Sequence, residues 1–300
     1  MLNTREFIPC PVCESLAYDV WIQPQRVEND PKKLYGAASG IKGVQQLVQC
    51  TTCSMIYENP RLSEEAIISG YMASEDSDHD SQYLMRKKSF YRALLRNKKN
   101  LPKVGSKVLD IGTAGGAFLE AAQEFGYDPF GLEPSIDLVN RGNARGLKIF
   151  AGTIENNELD IEKFNLICLW DVIEHLANPE SSLLLAKKHL STDGVVLINF
   201  PDIGTLQSKF AGKKFWWIIS VHLHHFSKRT LDQICKKVGL IPVSKRRYFQ
   251  VLEFGYLIEI ASKLGVPFAS TINRVIPKKI KSIPFAYYAS QTTAVYKVAK

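Results

Sequence analysis

The stretch SKVLDIGTAGGAFLEAAQEFGYDPFGLEPS, residues 106–135, leaves this chain few folds to choose from. It opens on a short apolar strand, turns on glycines and enters a helix whose Phe118, Leu119, Ala122 and Phe125 share one face, with Gly126 suited to cap its end. A second strand, DPFGLE, then closes on an acid, Glu133, 23 residues beyond Asp110. This is a β-α-β unit with a glycine-rich first turn, an arrangement that binds ribose diols. Glycines let a backbone approach a ligand closely, and the carboxylate of Glu133 can accept both ribose hydroxyls. GTAGGA matches the dinucleotide fingerprint poorly, because Ala114 and Ala117 hold two of its three glycine positions. The turn alone therefore does not name the ligand.

Downstream, the strand FNLICLWD delivers Asp171 to its carboxyl end, the rim where open α/β sheets bind ligands. Asn178 and Pro179 can start the next helix, with Leu183, Leu184 and Ala186 as its apolar surface, which leaves Glu174 and His175 in the rim loop. After the strand VVLINF comes SVHLHHFSKRT, with three of the chain's 6 histidines. Leu231, Ile234, Cys235 and Val238 then form a helical stripe with Ser227 as N-cap. If the histidine segment is extended, His222 and His224 share a face and His225 points away. A metal site built on that pair needs further ligands, and none is adjacent in sequence. The alternatives are loop packing and a general base. IPVSKRRYFQ and QTTAVYKVAK read as strands, and 251–285 between them reads as a helical insertion with a basic end, able to cap a site, dimerise or lie on an anionic membrane.

Cys10 and Cys13 in CPVC, with Cys50 and Cys53 in CTTC, offer four thiolates on two knuckles, a set that closes a tetrahedral shell around zinc in a reducing compartment. Glu14 and Ser54 stand where glycine often turns such knuckles. A closed four-sulfur shell leaves no position for water, so such a metal is structural. The competing reading is that these thiols are buried or redox-active. Cys168 and Cys235 lie in apolar runs and read as core.

The series VLDIGTAGG, GLEPS, FNLICLWDVIEHLANPE and GVVLINFPD resembles the class I S-adenosylmethionine-dependent methyltransferases in the order and spacing of its motifs, over roughly residues 105–240. That resemblance implies an α/β fold with a seven-stranded Rossmann-like sheet, whose last two strands are the two tail segments above. It implies that Asp110, Gly112 and Gly116 carry the methionine end of the cofactor, Glu133 the ribose, and Thr153 or Ile154 the adenine. Thr113, Pro134, Asp171 and Val172 complete the cofactor set. HLHHFSKRTL looks like a segment of zinc-containing methyltransferases that act on nucleotide-linked sugars; there a histidine four residues ahead of the Phe-Ser pair removes a proton, and His222 holds that position. Glu174 and His175 are either further catalytic groups or a hydrogen-bonded pair holding the loop. Ubiquinone-type methyltransferase domains are similar as well.

The expected organisation is a zinc-ribbon-like module at 1–60, a helical basic linker at 61–100 and the catalytic domain at 101–300. The expected function is methyl transfer to carbon or oxygen of a small, anionic acceptor such as a nucleotide sugar or polysaccharide precursor. A net charge of +8, concentrated at 86–99, 236–247 and 277–282, suits an acidic partner but equally suits solvated helix faces. An RNA methyltransferase is the first alternative, although these clusters lack the interleaved aromatics that stack on bases. A non-catalytic zinc-organised scaffold is the second. Glu253, Glu259 and Lys263 interrupt the most apolar stretch, so no transmembrane helix is expected. MLNTREFIPC lacks the apolar core of a signal peptide, and a cytoplasmic location is expected. Trp216 and Trp217 are candidates for a cavity wall.

Overall fold

In the computed structural model, seven strands align in the order Leu240–Glu253, Pro284–Val298, Leu190–Pro201, Phe164–Trp170, Lys107–Ile111, Asp128–Glu133 and Ile149–Ala151. Residues 5–35, 40–72, 82–157, 159, 163–263 and 267–299 are described. The acidic stretch SEDSDHD, read as a mobile loop, lies outside them. The five strands from Leu190–Pro201 to Ile149–Ala151 run parallel, while the two at the other edge pair antiparallel. Parallel pairing brings the carboxyl ends of the first-motif, acid and FNLICLW strands to one edge of the sheet.

Strand interiors are apolar on both faces because helices cover both. Leu109, Ile111, Ile167 and Leu169 join a core with Leu183, Ala186, Leu231 and Ile234 from the helices Pro179–Lys188 and Lys228–Lys237. The alternate residues Val108, Leu166, Cys168 and Trp170 pack instead with Phe90, Phe118 and Ala122 from Tyr83–Asn97 and Ala117–Phe125. Leu184, expected on the buried face of its helix, is exposed. One residue after Leu183 is a turn of about 100°, which carries its side chain off the stripe. Asn178 caps that helix by accepting from the Ser181 N–H, and Ser227 forms a capping box with Thr230.

At the amino end, Tyr18–Ile22, Leu47–Cys50 and Ile56–Glu58 form an antiparallel sheet. Its fourth strand is His224–His225, which pairs with Ile56–Tyr57. The cysteine knuckles join the same core as the seven-stranded sheet: Cys10, Val12, Cys50 and Cys53 belong with Phe226, Leu231 and Ile234. Arg229 Nη2 donates to the Cys53 carbonyl at 2.6 Å, and Lys237 pairs with Glu14 at 2.7 Å. Helices Glu64–Met72 and Tyr83–Asn97 follow the knuckles. The tail hairpin reaches further than its sequence suggests, so the helices between its strands occupy Phe254–Lys263, Ala269–Val275 and Lys278–Lys281. They pack at its outer end, where Tyr256, Leu257 and Ile260 meet Met85, Val251 and Leu252.

Candidate active site

At the carboxyl edge of the sheet lies a cavity of ≈ 310 Å³, within the range of small-molecule sites. It joins the glycine turn to the histidine loop. Lining it are Asp110, Gly112, Thr113, Glu133, Pro134, Thr153, Ile154, Asp171 and Val172 at one end, and Glu174, His175, Trp217 and His222 at the other. Gly116 is not among the lining residues, whereas Ala114 and Gly115 are. Its φ of 86° at the start of the helix is the left-handed conformation that favours glycine, and a Cβ there would lie 2.4 Å from Leu147 Cδ1.

The first turn is shaped for a close ligand. Gly112 has φ 70°, and a Cβ would stand 2.7 Å from Val172 Cγ2. Glu133 accepts from the Ala114 N–H at 2.8 Å and from the Ser135 N–H at 3.0 Å, which fixes its carboxylate at the strand end. Asp110 Oδ1 and Thr113 Oγ1 are buried beside each other and have no further hydrogen-bond partner among the described residues. Such orphaned polar atoms beside a cavity fit a polar ligand group. Burial, opposed by the Thr113 hydroxyl and reinforced by the charge of Glu133, holds the Asp110 carboxyl well above its usual range. Burial also pushes Asp171 up to about 6, opposed by the Arg86 charge and by hydrogen bonds from Asn199 and Gln291.

At the other end the hydrogen bonds assign tautomers. His222 Nδ1 lies 2.8 Å from the Trp217 carbonyl, which can only accept, so Nδ1 carries the proton and Nε2 the lone pair. The Tyr71 hydroxyl donates to the Val221 carbonyl at 2.9 Å, so it accepts from His175 Nδ1 at 2.8 Å. The His175 and His222 rings meet edge to face at 4.8 Å, and Trp217 stacks on His222 at 5.9 Å. Burial, then the neighbouring His175 and His225, holds His222 well below 6.5, so its ring is neutral. Both oxygens of Glu174 are buried without a partner among the described residues, and burial plus the Asp171 charge raise its carboxyl well above its usual range.

The pairing of histidines differs from the alternation of an extended strand. His222 precedes the strand, in a turn, and faces His175 and His225. His224 leaves the cavity, with Nε2 3.0 Å from the Leu176 carbonyl. The ligand atoms of Glu174, His175 and His222 lie within 4.8 Å of one another, a set able to hold a proton or a cation, and these two partners of His222 are remote in sequence. Trp217 lines the cavity and Trp216 does not; both indole N–H groups point to the Ala289 carbonyl.

Several lining residues escaped the sequence reading: Tyr71, Tyr83, Arg86, Phe90, Trp170 and Gln250. Arg86 and Phe90 sit in what read as a basic run. There Met85, Ser89, Phe90, Ala93, Leu94 and Asn97 are buried, a helical period visible beneath the charges. Among the described residues, 254–263 and 267–283 contribute nothing to the lining.

The four cysteine sulfurs also lie within 4.8 Å of one another. Each knuckle closes on a backbone bond, Glu14 N–H to Cys10 O and Ser54 N–H to Cys50 O, both 2.9 Å. Glu14 and Ser54 adopt φ of 61° and 62°, the left-handed turn for which glycine is the usual residue. This donor set fits a tetrahedral thiophilic ion.

The methyltransferase domain family matches residues 78–245. A ubiquinone biosynthesis O-methyltransferase of Glaesserella parasuis serovar 5 (strain SH0165) is 33% identical over 114 residues, 34% of this chain and 48% of that protein. The chain thus spans about half the length of that curated relative. Among solved structures, the fold is similar to an S-adenosylmethionine-dependent methyltransferase of Thermotoga maritima described as a possible histamine N-methyltransferase (TM-score 0.50, 19% identity, 74% of this chain and 95% of that one). A candidate methyltransferase of Bacillus halodurans C-125 is also similar (TM-score 0.51, 14% identity, 69% and 98%). The family match takes in more than half of the chain and carries the glycine turn, Glu133 and the histidine loop: the protein belongs to the methyltransferase domain family.

Proposed function

We propose that the chain methylates oxygen or carbon of a small hydroxylated acceptor held at the His222 end of the cavity. The observation that carries this reading is the continuity of one cavity from the glycine turn and Glu133 to the neutral imidazole of His222. When bound, S-adenosylmethionine supplies the electrophilic methyl group. The protein's task is then to align the acceptor and take its proton. Glu133 accepts from the ribose hydroxyls, and the glycine turn 112–115 lies along the methionine end of the cofactor. Asp110, Thr113, Pro134, Asp171 and Val172 line its path, with Thr153 and Ile154 toward the adenine. His222 Nε2 receives the acceptor's proton, and the bond from Nδ1 to the Trp217 carbonyl holds the ring in that tautomer. His175, fixed by Tyr71, and Glu174, whose carboxyl burial holds well above its usual range, position the acceptor hydroxyl.

A nucleotide sugar or polysaccharide precursor is the first acceptor class to test. Arg86 is the one cationic side chain among the described lining residues, so a diphosphate belongs outside the cavity with the sugar ring inside. The O-methyltransferase among the relatives favours oxygen as the accepting atom. Zinc held by Cys10, Cys13, Cys50 and Cys53 is structural in this reading. The volume of the cavity, ≈ 310 Å³, favours a small molecule over RNA.

Calorimetric titration with S-adenosylmethionine, followed by transfer of labelled methyl to a panel of nucleotide sugars and phenols, tests the proposal. His222→Ala is expected to retain cofactor affinity and lose about 10²–10⁴-fold in kcat. An unchanged kcat removes His222 as base, and absence of cofactor binding removes the whole reading.

A further inference from the structure

Of the three basic clusters, two are engaged by the fold. In the first, Lys87 bridges Glu120 and Glu124 at 3.1 and 2.6 Å, and Arg86 lines the cavity. In the second, Lys237 bridges Glu14 and Glu180, and Lys245 bonds Asp232. The third is different. Among the described residues, Arg274, Lys278, Lys279 and Lys281 form no ion pair, and the chain contains no Asp or Glu after Glu259.

Around these cations the apolar side chains face outward. Ile272 and Val275 share one face of the helix Ala269–Val275 and are 44% and 72% exposed, and Phe268, which precedes the helix with φ 63°, is 76% exposed. A soluble helix buries such a face; here the buried residue is Ala269. Ile280, Ile283 and Phe285 extend the exposed apolar surface beside the lysines. The region lies beyond residues 78–245, where the family matches.

We propose that the face spanning Phe268 to Phe285 docks on the surface of an anionic phospholipid bilayer, its apolar side chains entering the headgroup boundary and its cations meeting lipid phosphates. Apolar face plus unpaired cations is the composition of interfacial helices. A second copy of the chain is the poorer occupant, because two acid-free cationic faces repel. RNA is poorer too, since four of the six exposed apolar side chains are aliphatic and cannot stack on bases.

Co-sedimentation of the full-length protein with vesicles tests this. We expect binding to mixed phosphatidylcholine–phosphatidylglycerol vesicles, little to phosphatidylcholine alone, and weakening by salt. Lys278→Gln with Lys279→Gln is expected to weaken binding roughly fivefold per lost lysine. Ile272→Ser with Val275→Ser is expected to weaken it at high salt as well. These positions are exposed, so cofactor affinity should be unchanged and reports that the variants are folded. Equal binding to neutral vesicles, absence of binding to either, or concentration-dependent self-association abolished by the same substitutions would each overturn the proposal.

Discussion

Two backbone amides, from Ala114 and Ser135, hold the two carboxylate oxygens of Glu133 in place before any ligand arrives. Hydrogen bonds to a charged group contribute about 1.5–3 kcal/mol each. Glu133→Ala is therefore expected to raise the Kd for S-adenosylmethionine about 10²-fold or more in calorimetry, with Glu133→Gln in between. The buried histidines make a separate prediction about pH. Burial depresses His225 to about 4 and His224 to about 3, against 6.5 when exposed. Below pH 6.5 the unfolded chain binds protons that the folded chain refuses. Their contribution to stability is thus full above about 6.5 and is lost as the pH falls through the folded values. Urea unfolding between pH 7 and 4 should show His225→Gln losing less stability on acidification than the wild type, by on the order of 3 kcal/mol. Equal slopes would mean that His225 is not buried neutral. Asp171 acts in the opposite direction, since its raised carboxyl costs stability as the pH rises.

At the scale of elements, the glycine turn and the rim loop are built against each other. The strand Lys107–Ile111 ends at Gly112, and Val172 follows the neighbouring strand Phe164–Trp170. Their approach leaves no room for a methyl group at position 112. Gly112→Ala meets both a left-handed φ and this contact, and is expected to cost about 1–3 kcal/mol of stability together with cofactor affinity. Thermal unfolding and calorimetry would read the two effects separately. A variant of unchanged stability and affinity would show that the turn relaxes freely. This element was legible in the sequence because a strand, a glycine turn and a helix are local patterns. The caps at Asn178 and Ser227 were legible for the same reason. The exposure of Leu184 and the turn that carries His222 were not, since a helix's neighbours and a short segment's conformation are set by what packs on them.

Across the whole molecule, the cysteine knuckles and the active site share one structure. The strand Ile56–Glu58 follows the second knuckle and pairs with His224–His225, one turn from His222. If zinc closes the four-sulfur shell, a strong chelator should release about one zinc per chain, measured by mass spectrometry, and lower stability and kcat together. Activity that survives complete zinc loss would show that the knuckles do not support the histidine loop. The sequence by itself determined the α/β class, the placement of Gly112 and Glu133 on one rim, and the four thiols, because each is a pattern of neighbours along the chain. Only the tertiary structure decided that His222 faces His175 and Glu174 rather than His224, that Tyr71 and Arg86 line the cavity, and that the described helices of the insertion do not line it. Those relations join residues far apart in the chain. They depend on how parallel strands and their covering helices come together, and no local periodicity encodes that.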